Sequence, residues 1–270
     1  MAALATHAYR ASALPLRRLS VSIRRLAFRL GWAALCLAAA SPAAFAYRPF
    51  DSTDADVAKA GEFELELGPI GSLRDGANKY WVAPAVVANI GMKDGYELVL
   101  QGQRQQLREG EPDAPSTSVV NTGVFIKQVL RRGVLQDAEG PSVATEYGLL
   151  LPTLNGEHGT GFSWAGIVSQ RWAAATVHLN TEFAYTREHK PDAFLGAIIE
   201  GPYEWQVRPV MELFAEQASG SPRTLSRLVG MIWRSKEQLS FDVGIRVASA
   251  GDRHINEIRV GFTWGFPAGK

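Results

Sequence analysis

Apolar and polar side chains alternate one by one over much of this chain. In residues 176–186, TVHLNTEFAYT, Val177, Leu179, Phe183 and Tyr185 share one face with Thr181, while His178, Asn180, Glu182 and Thr186 share the other. Residues 239–247 repeat the pattern, with Leu239, Phe241, Val243, Ile245 and Val247 against Ser240, Asp242, Gly244 and Arg246. In 204–216, Trp205, Val207, Pro209, Met211 and Leu213 oppose Gln206, Arg208, Glu212 and Phe214. In 258–266, Ile258, Val260, Phe262, Trp264 and Phe266 oppose Arg259, Gly261, Thr263 and Gly265. The opening segment, GEFELELG at 61–68, sets Phe63, Leu65 and Leu67 against Glu62, Glu64 and Glu66. A period of two means strands with two unlike faces. Less regular segments bounded by Gly, Pro, Asn or Asp fall at 79–90, 96–106, 119–130, 142–151, 160–171, 192–200 and 224–234. Together these predict about twelve strands and almost no helix.

So many strands with one large apolar face need something apolar outside as well as something polar inside. A soluble sandwich supplies a protein core for one face only. A closed antiparallel transmembrane β-barrel places the apolar faces in lipid and the carboxylates in a wet lumen, and closure leaves no unpaired edge. Aromatic residues gather near strand ends, where girdle residues of such barrels belong: Trp81, Trp172, Trp205, Trp233, Trp264 and Phe266 are the lipid-interface candidates. Link lengths are expected to alternate, tight at 91–95, 171–175, 201–203 and 235–238, longer at 69–77, 107–118, 152–159, 187–191, 217–223 and 249–254. The link at 131–141 breaks that rule. Arg104 and Arg227 break the outward apolar pattern near the long-loop end, where a charge costs only ~0–1 kcal/mol. Either they meet lipopolysaccharide phosphates or the register slips there.

The chain's beginning changes the picture by giving an address. Residues 1–46 hold six arginines and no Asp or Glu, then an apolar run from Leu30 that ends at Ala44, Phe45 and Ala46. That layout predicts a cleaved signal peptide over 1–46, with the only cysteine, Cys36, inside it. Cleavage would take the formal charge from +1 to about −5. Residues 47–60, YRPFDSTDADVAKA, read as a polar N-terminal extension in the periplasm, and 61–270 as the barrel. Asp51, Asp54 and Asp56 lack the Gly and distant Glu of a calcium loop. The expected location is the outer membrane of a Gram-negative bacterium, with outer-membrane lipids and the barrel-assembly machinery as partners. No basic patch suggests nucleic acid.

Inward positions supply the candidate chemistry. Glu62, Glu64, Glu66, Glu146, Glu182, Glu200, Glu212 and Asp242 face Lys127, Arg208, Arg246 and Arg259, with His178 among them. Two readings stay open, an ion-pair network that braces a closed barrel and an acid-biased pore for cations or polar neutral solutes. Inward Gly196, Gly230, Gly244, Gly261 and Gly265 give a pore room or ease curvature. A lipid-modifying hydrolase is the enzyme alternative. It would rest on His178 and Glu182 as base and partner, or on GFSWA at 161–165, but no helix follows that serine as a nucleophile elbow requires. No His/Cys/Asp cluster has metal spacing, and no cofactor is expected.

The TDAD and GEFELELG opening, WVAP at 81–84, ELFAE at 212–216 and the final VGFTWGF resemble the outer-membrane barrels of the meta-pathway phenol-degradation family. The resemblance implies a channel or passive transporter for small organic, often aromatic, compounds. It carries over no substrate residue. A periplasmic β-rich binding protein is the remaining alternative.

Overall fold

Every segment expected to be a strand forms one. The computed structural model describes residues 48–93 and 95–267. The strands are β1 (Glu62–Asp75), β2 (Asn78–Lys93), β3 (Tyr96–Glu109), β4 (Thr117–Arg131), β5 (Ser142–Leu150), β6 (Gly161–Arg171), β7 (Thr176–Tyr185), β8 (Pro191–Glu200), β9 (Val207–Ala218), β10 (Thr224–Lys236), β11 (Leu239–Ala250) and β12 (Arg253–Pro267). Each pairs antiparallel with its sequence neighbours, and β1 closes on β12 with Phe63 opposite Phe266 and Leu65 opposite Trp264. The fold is therefore a closed antiparallel barrel of twelve strands. The expected signal peptide, 1–46, lies outside the described residues.

The two faces separate as the alternation requires. Leu179, Leu195, Leu213, Val229, Ile245 and Ile258 are all more than half-exposed or close to it, on the outside, with Leu195 at 65%. Inward Glu64, Glu212, Asp242 and Arg259 are buried. No helix among the described residues is long and apolar enough to cross a membrane. Trp172 and Trp205 lie in links at the inner end, where β1 begins and β12 finishes. Trp233 and Trp264 stand on strands at that same end, exposed. Phe266 rests between Phe63 and Trp264 at ring-centroid distances of 4.9 and 5.0 Å. Trp81 stands near the outer end of β2. All six face away from the lumen or sit in links, which suits an interfacial girdle.

Two expected long links are strand instead. The chain from Pro69 continues β1 to Asp75, leaving only 76–77 as the turn, and β11 and β12 extend until only 251–252 remain. Gly68 and Pro69 read as stop signals, but they occupy a bulge between Leu67 and Ile70. A proline there removes no ladder hydrogen bond, and the extra residue reverses which parity faces inward. In β12 the outward residues near the outer end are His254 and Asn256, so the apolar alternation fades while pairing continues. The link-length alternation is thus weaker than expected. At the inner end, 132–141 holds a 3-10 turn, Val134–Gln136.

Candidate functional site: the occupied lumen

Residues 48–60 do not hang in the periplasm as a solvated extension. Residues 48–58 lie inside the barrel, because inward side chains satisfy their backbone and their charges. Arg48 donates from Nη1 to the Gly68 carbonyl and places Nε 3.3 Å from Asp242 Oδ2. Asp51 accepts from Arg259 Nη2 at 2.9 Å and lies 3.3 Å from Arg246 Nε. Asp51 and Ser52 donate their backbone N–H groups to Glu212 Oε1 at 3.1 and 2.7 Å. Asn180 clasps Thr53 twice, accepting its N–H at 3.0 Å and donating to its carbonyl at 2.7 Å. Lys127 Nζ reaches Thr53 Oγ1 at 3.1 Å and Asp54 Oδ1 at 3.3 Å. Ala55 donates to Ser169 Oγ at 2.9 Å, and Ala58 donates to Glu97 Oε2. A buried backbone group without a partner costs about as much as a lost hydrogen bond. These inward groups remove that cost for much of the segment, and Asp54 and Asp56 accept the N–H groups of Asp56 and Val57 within it.

The expected inward residues are brought together, with different partners from those a pore would give them. Arg246 and Arg259 both contact Glu257, at 3.3 and 2.8 Å, forming a cluster around Asp51. Arg208 Nε lies 3.3 Å from Glu200 Oε2, and Glu200 Oε1 lies 3.7 Å from His178 Nε2. Glu146 stands opposite Lys127 across β4 and β5. Glu66 accepts from Asn89 at 3.0 Å. Glu62 is only half-buried at the inner end, opposite Pro267, and joins none of these clusters.

The His178–Glu182 dyad does not form. His178 Nδ1 pairs with Ser169 Oγ across β6 and β7 at 2.7 Å, while Glu182 bonds Ser163, the serine of GFSWA. Strand register explains the exchange, since Ser169 stands directly opposite His178 and Ala165 opposite Glu182. Ser169 Oγ also accepts the Ala55 N–H, and the Nε2 edge of the same ring faces Glu200 Oε1 at 3.7 Å. This row resembles a nucleophile–base–carboxylate series, but it lies beneath Ala55, with His178 1% exposed.

Two of the inward glycines have a different use. A Cβ on Gly196 would stand 2.2 Å from Ser52 Oγ, and one on Gly261 2.6 Å from Arg48 Nε. These positions make room for the threaded segment rather than for a pore.

Charge is divided around the lumen. Arg246 on β11 and Arg259 on β12 cluster around Asp51, and Arg208 on β9 pairs with Glu200. On the other side, a cavity of about 160 Å³ is lined by Glu64, Glu66, Glu97, Glu146, Glu182 and Asp56, with Lys127 as its cation. It has room for on the order of ten waters. Asp56 sits at its inner mouth, where Gln136 of the 132–141 link donates to it at 3.0 Å. Burial, followed by the neighbouring Asp54 carboxylate, pushes the Asp56 carboxyl up to about 7.

Sequence reasoning did not single out Glu97, Ser169 or Glu257. Glu97 was within reach, since Glu97, Val99 and Gln101 alternate with Leu98 and Leu100. The docking partners on 48–60 carry no periodicity that could reveal them.

No family model matches this chain, and no curated protein matches it by sequence. The resemblance to the meta-pathway phenol-degradation family therefore remains one of motifs. Solved structures do match the fold. A KdgM porin in complex with disordered oligogalacturonate is similar at 10% identity with a TM-score of 0.51, covering 76% of this chain and 99% of its own. An outer membrane channel from Pseudomonas putida F1 is similar at 10% identity with a TM-score of 0.54, covering 81% of this chain and 100% of its own. At these identities the likeness concerns the barrel itself.

Proposed function

We propose that this chain is an outer-membrane channel for small solutes, held closed at rest by its own residues 48–60. The observation that carries the reading is how that segment is held. Its contacts are hydrogen bonds and ion pairs, such as Asp51 with Arg259 and Thr53 with Asn180, which water can replace one by one. A bracing core would be expected to hold its filling by apolar packing, and the apolar cluster that includes this segment among the described residues is small, Ala55 with Ala144 and Ile167.

The solute class follows from the cavity wall. Carboxylates on β1, β3, β5 and β7 oppose a polyanion such as the oligogalacturonate in the KdgM complex. They favour cations and polar neutral molecules. Small organic compounds, the class implied by the motif resemblance, fit when neutral. The hydrolase alternative gains Ser169 beside His178 but no route for a lipid to it, because the pair faces the lumen under Ala55.

The test is the reversal potential of the reconstituted protein across a KCl gradient. Cation preference is expected in the wild type, and its loss when Glu64, Glu66 and Glu97 are neutralised together. Unchanged preference in that variant would overturn the acidic-lumen reading, and a wild type that never conducts would overturn the channel reading.

A further inference from the structure

The outer wall carries a second concavity, unrelated to the lumen. Strand register creates it. On the lipid-facing side, Ala197 stands between Leu179 on β7 and Leu213 on β9, and Ala215 stands between Leu195 on β8 and Leu225 on β10. Each alanine is a notch with a leucine on both neighbouring strands. The notches join into an apolar groove of about 750 Å³ that runs across β7 to β12 toward the outer end. That volume is within the ~300–1,000 Å³ of ordinary ligand sites. Open lipid needs no such groove, since a uniform leucine surface would serve equally well.

One end of the groove is polar. Arg227 projects outward on β10, with Leu213 and Val247 as its register neighbours rather than a carboxylate. Ser249 and His254 stand opposite each other on the adjacent strands and line the same groove. Arg227 is the fourth residue of β10, counted from the outer end at Thr224. Three residues along a tilted strand place it ~8 Å below that end, at headgroup depth. A guanidinium there favours a phosphate, which it can hold bidentately. Other outward cations, Arg74 and Lys79, stand near the same end of β1 and β2.

From these observations we infer that the groove binds one phosphorylated, multi-acyl lipid of the outer leaflet, with a phosphate on Arg227 and an acyl chain across Ala197 and Ala215. The apolar floor fits a chain that starts beside Ala215, level with Arg227, and runs down past Ala197, the seventh residue from the outer end of β8, while the cationic end fits its headgroup. A free hydrocarbon solute would use the floor and leave Arg227 without a purpose.

The experiment is native mass spectrometry of the detergent-purified full protein titrated with lipid A. Dephosphorylated lipid A and hexadecane are the comparison ligands. The wild type should retain one lipid A. Arg227→Glu should lower retention about tenfold or more, and Arg227→Lys should keep most of it. Ala215→Leu should lower retention with Arg227 intact, and dephosphorylated lipid A should bind as weakly as lipid A does to the Arg227→Glu variant. Arg104→Glu, a change outside the groove, should have no effect. Each variant is scored only if it keeps heat-modifiable migration on a gel, which reports an intact barrel; Arg227→Lys keeps the test alive if Arg227→Glu fails. Equal losses in Arg227→Glu and Arg104→Glu would overturn the inference in favour of diffuse attraction. Retention blind to Ala215→Leu would overturn the groove, and hexadecane displacing lipid A would make it a solute site.

Discussion

Arg259 Nη2 lies 2.9 Å from Asp51 Oδ1, an ion pair that ties the last strand to the segment ahead of the first. Arg259 also donates from Nη1 to the Pro49 carbonyl at 2.8 Å, so one guanidinium holds two points of the threaded segment. Hydrogen bonds to charged groups contribute ~1.5–3 kcal/mol each. Arg259→Gln should therefore shift 48–60 toward release by roughly ten- to a hundredfold. The only cysteine is Cys36, in the expected signal peptide, so a Ser52→Cys variant gives a near-unique probe. A membrane-impermeant maleimide should label it slowly in the parent and at least tenfold faster with Arg259→Gln. Equal rates would mean that this pair does not hold the segment.

Gly196→Ala tests the same docking from the barrel wall. The new methyl would meet Ser52 Oγ at 2.2 Å and the Phe194 ring at 2.7 Å, so the segment or the ring must move. Labelling at Ser52→Cys should rise while heat-modifiable migration stays intact. A variant that keeps slow labelling would show that Ser52 adjusts without leaving.

Docking should also depend on pH through Asp56. Its carboxyl is raised from an ordinary value of 3.8 to about 7 in the docked state, so docking takes up a proton. The Asp56 contribution is then fully present below about pH 4 and is lost as pH rises through about 7. Asp54, Lys127, Glu64 and Gln136 face this group and share the field. Channel openings should become more frequent from pH 5 to pH 8, and Asp56→Asn should flatten that rise. An opposite slope in the parent would contradict the assignment.

Ser169→Ala separates a latch from a hydrolase. Removing Oγ takes away the acceptor for the Ala55 N–H and the partner of His178. Labelling at Ser52→Cys should become faster, and membrane lipid composition should match that of cells making the unaltered protein. A change in lipid composition that depends on Ser169 would favour the enzyme.

The barrel was legible because lipid and lumen impose one rule on every strand. His178, Glu212, Asp242 and Arg259 could be placed inward from alternation alone. Residues 48–60 obeyed no rule that sequence reading uses. Asp51, Asp54 and Asp56 look solvated unless one knows that Arg246, Arg259 and Lys127 stand across from them. A hint was present in the small residues Ala55 and Ala58 beside Asp56, both buried, which suit a confined path. The outer-end turns were misjudged for a different reason. Gly68 and Pro69 act as a bulge inside β1, a tertiary outcome of pairing with β12 that local turn chemistry does not reveal.

Single-channel conductance of the purified protein with and without residues 48–58 tests the central claim most directly, both forms being checked for heat-modifiable migration. The shortened form should pass several times more current than the intact one, with cations preferred. Equal conductance from the two would mean that the threaded segment does not close the barrel.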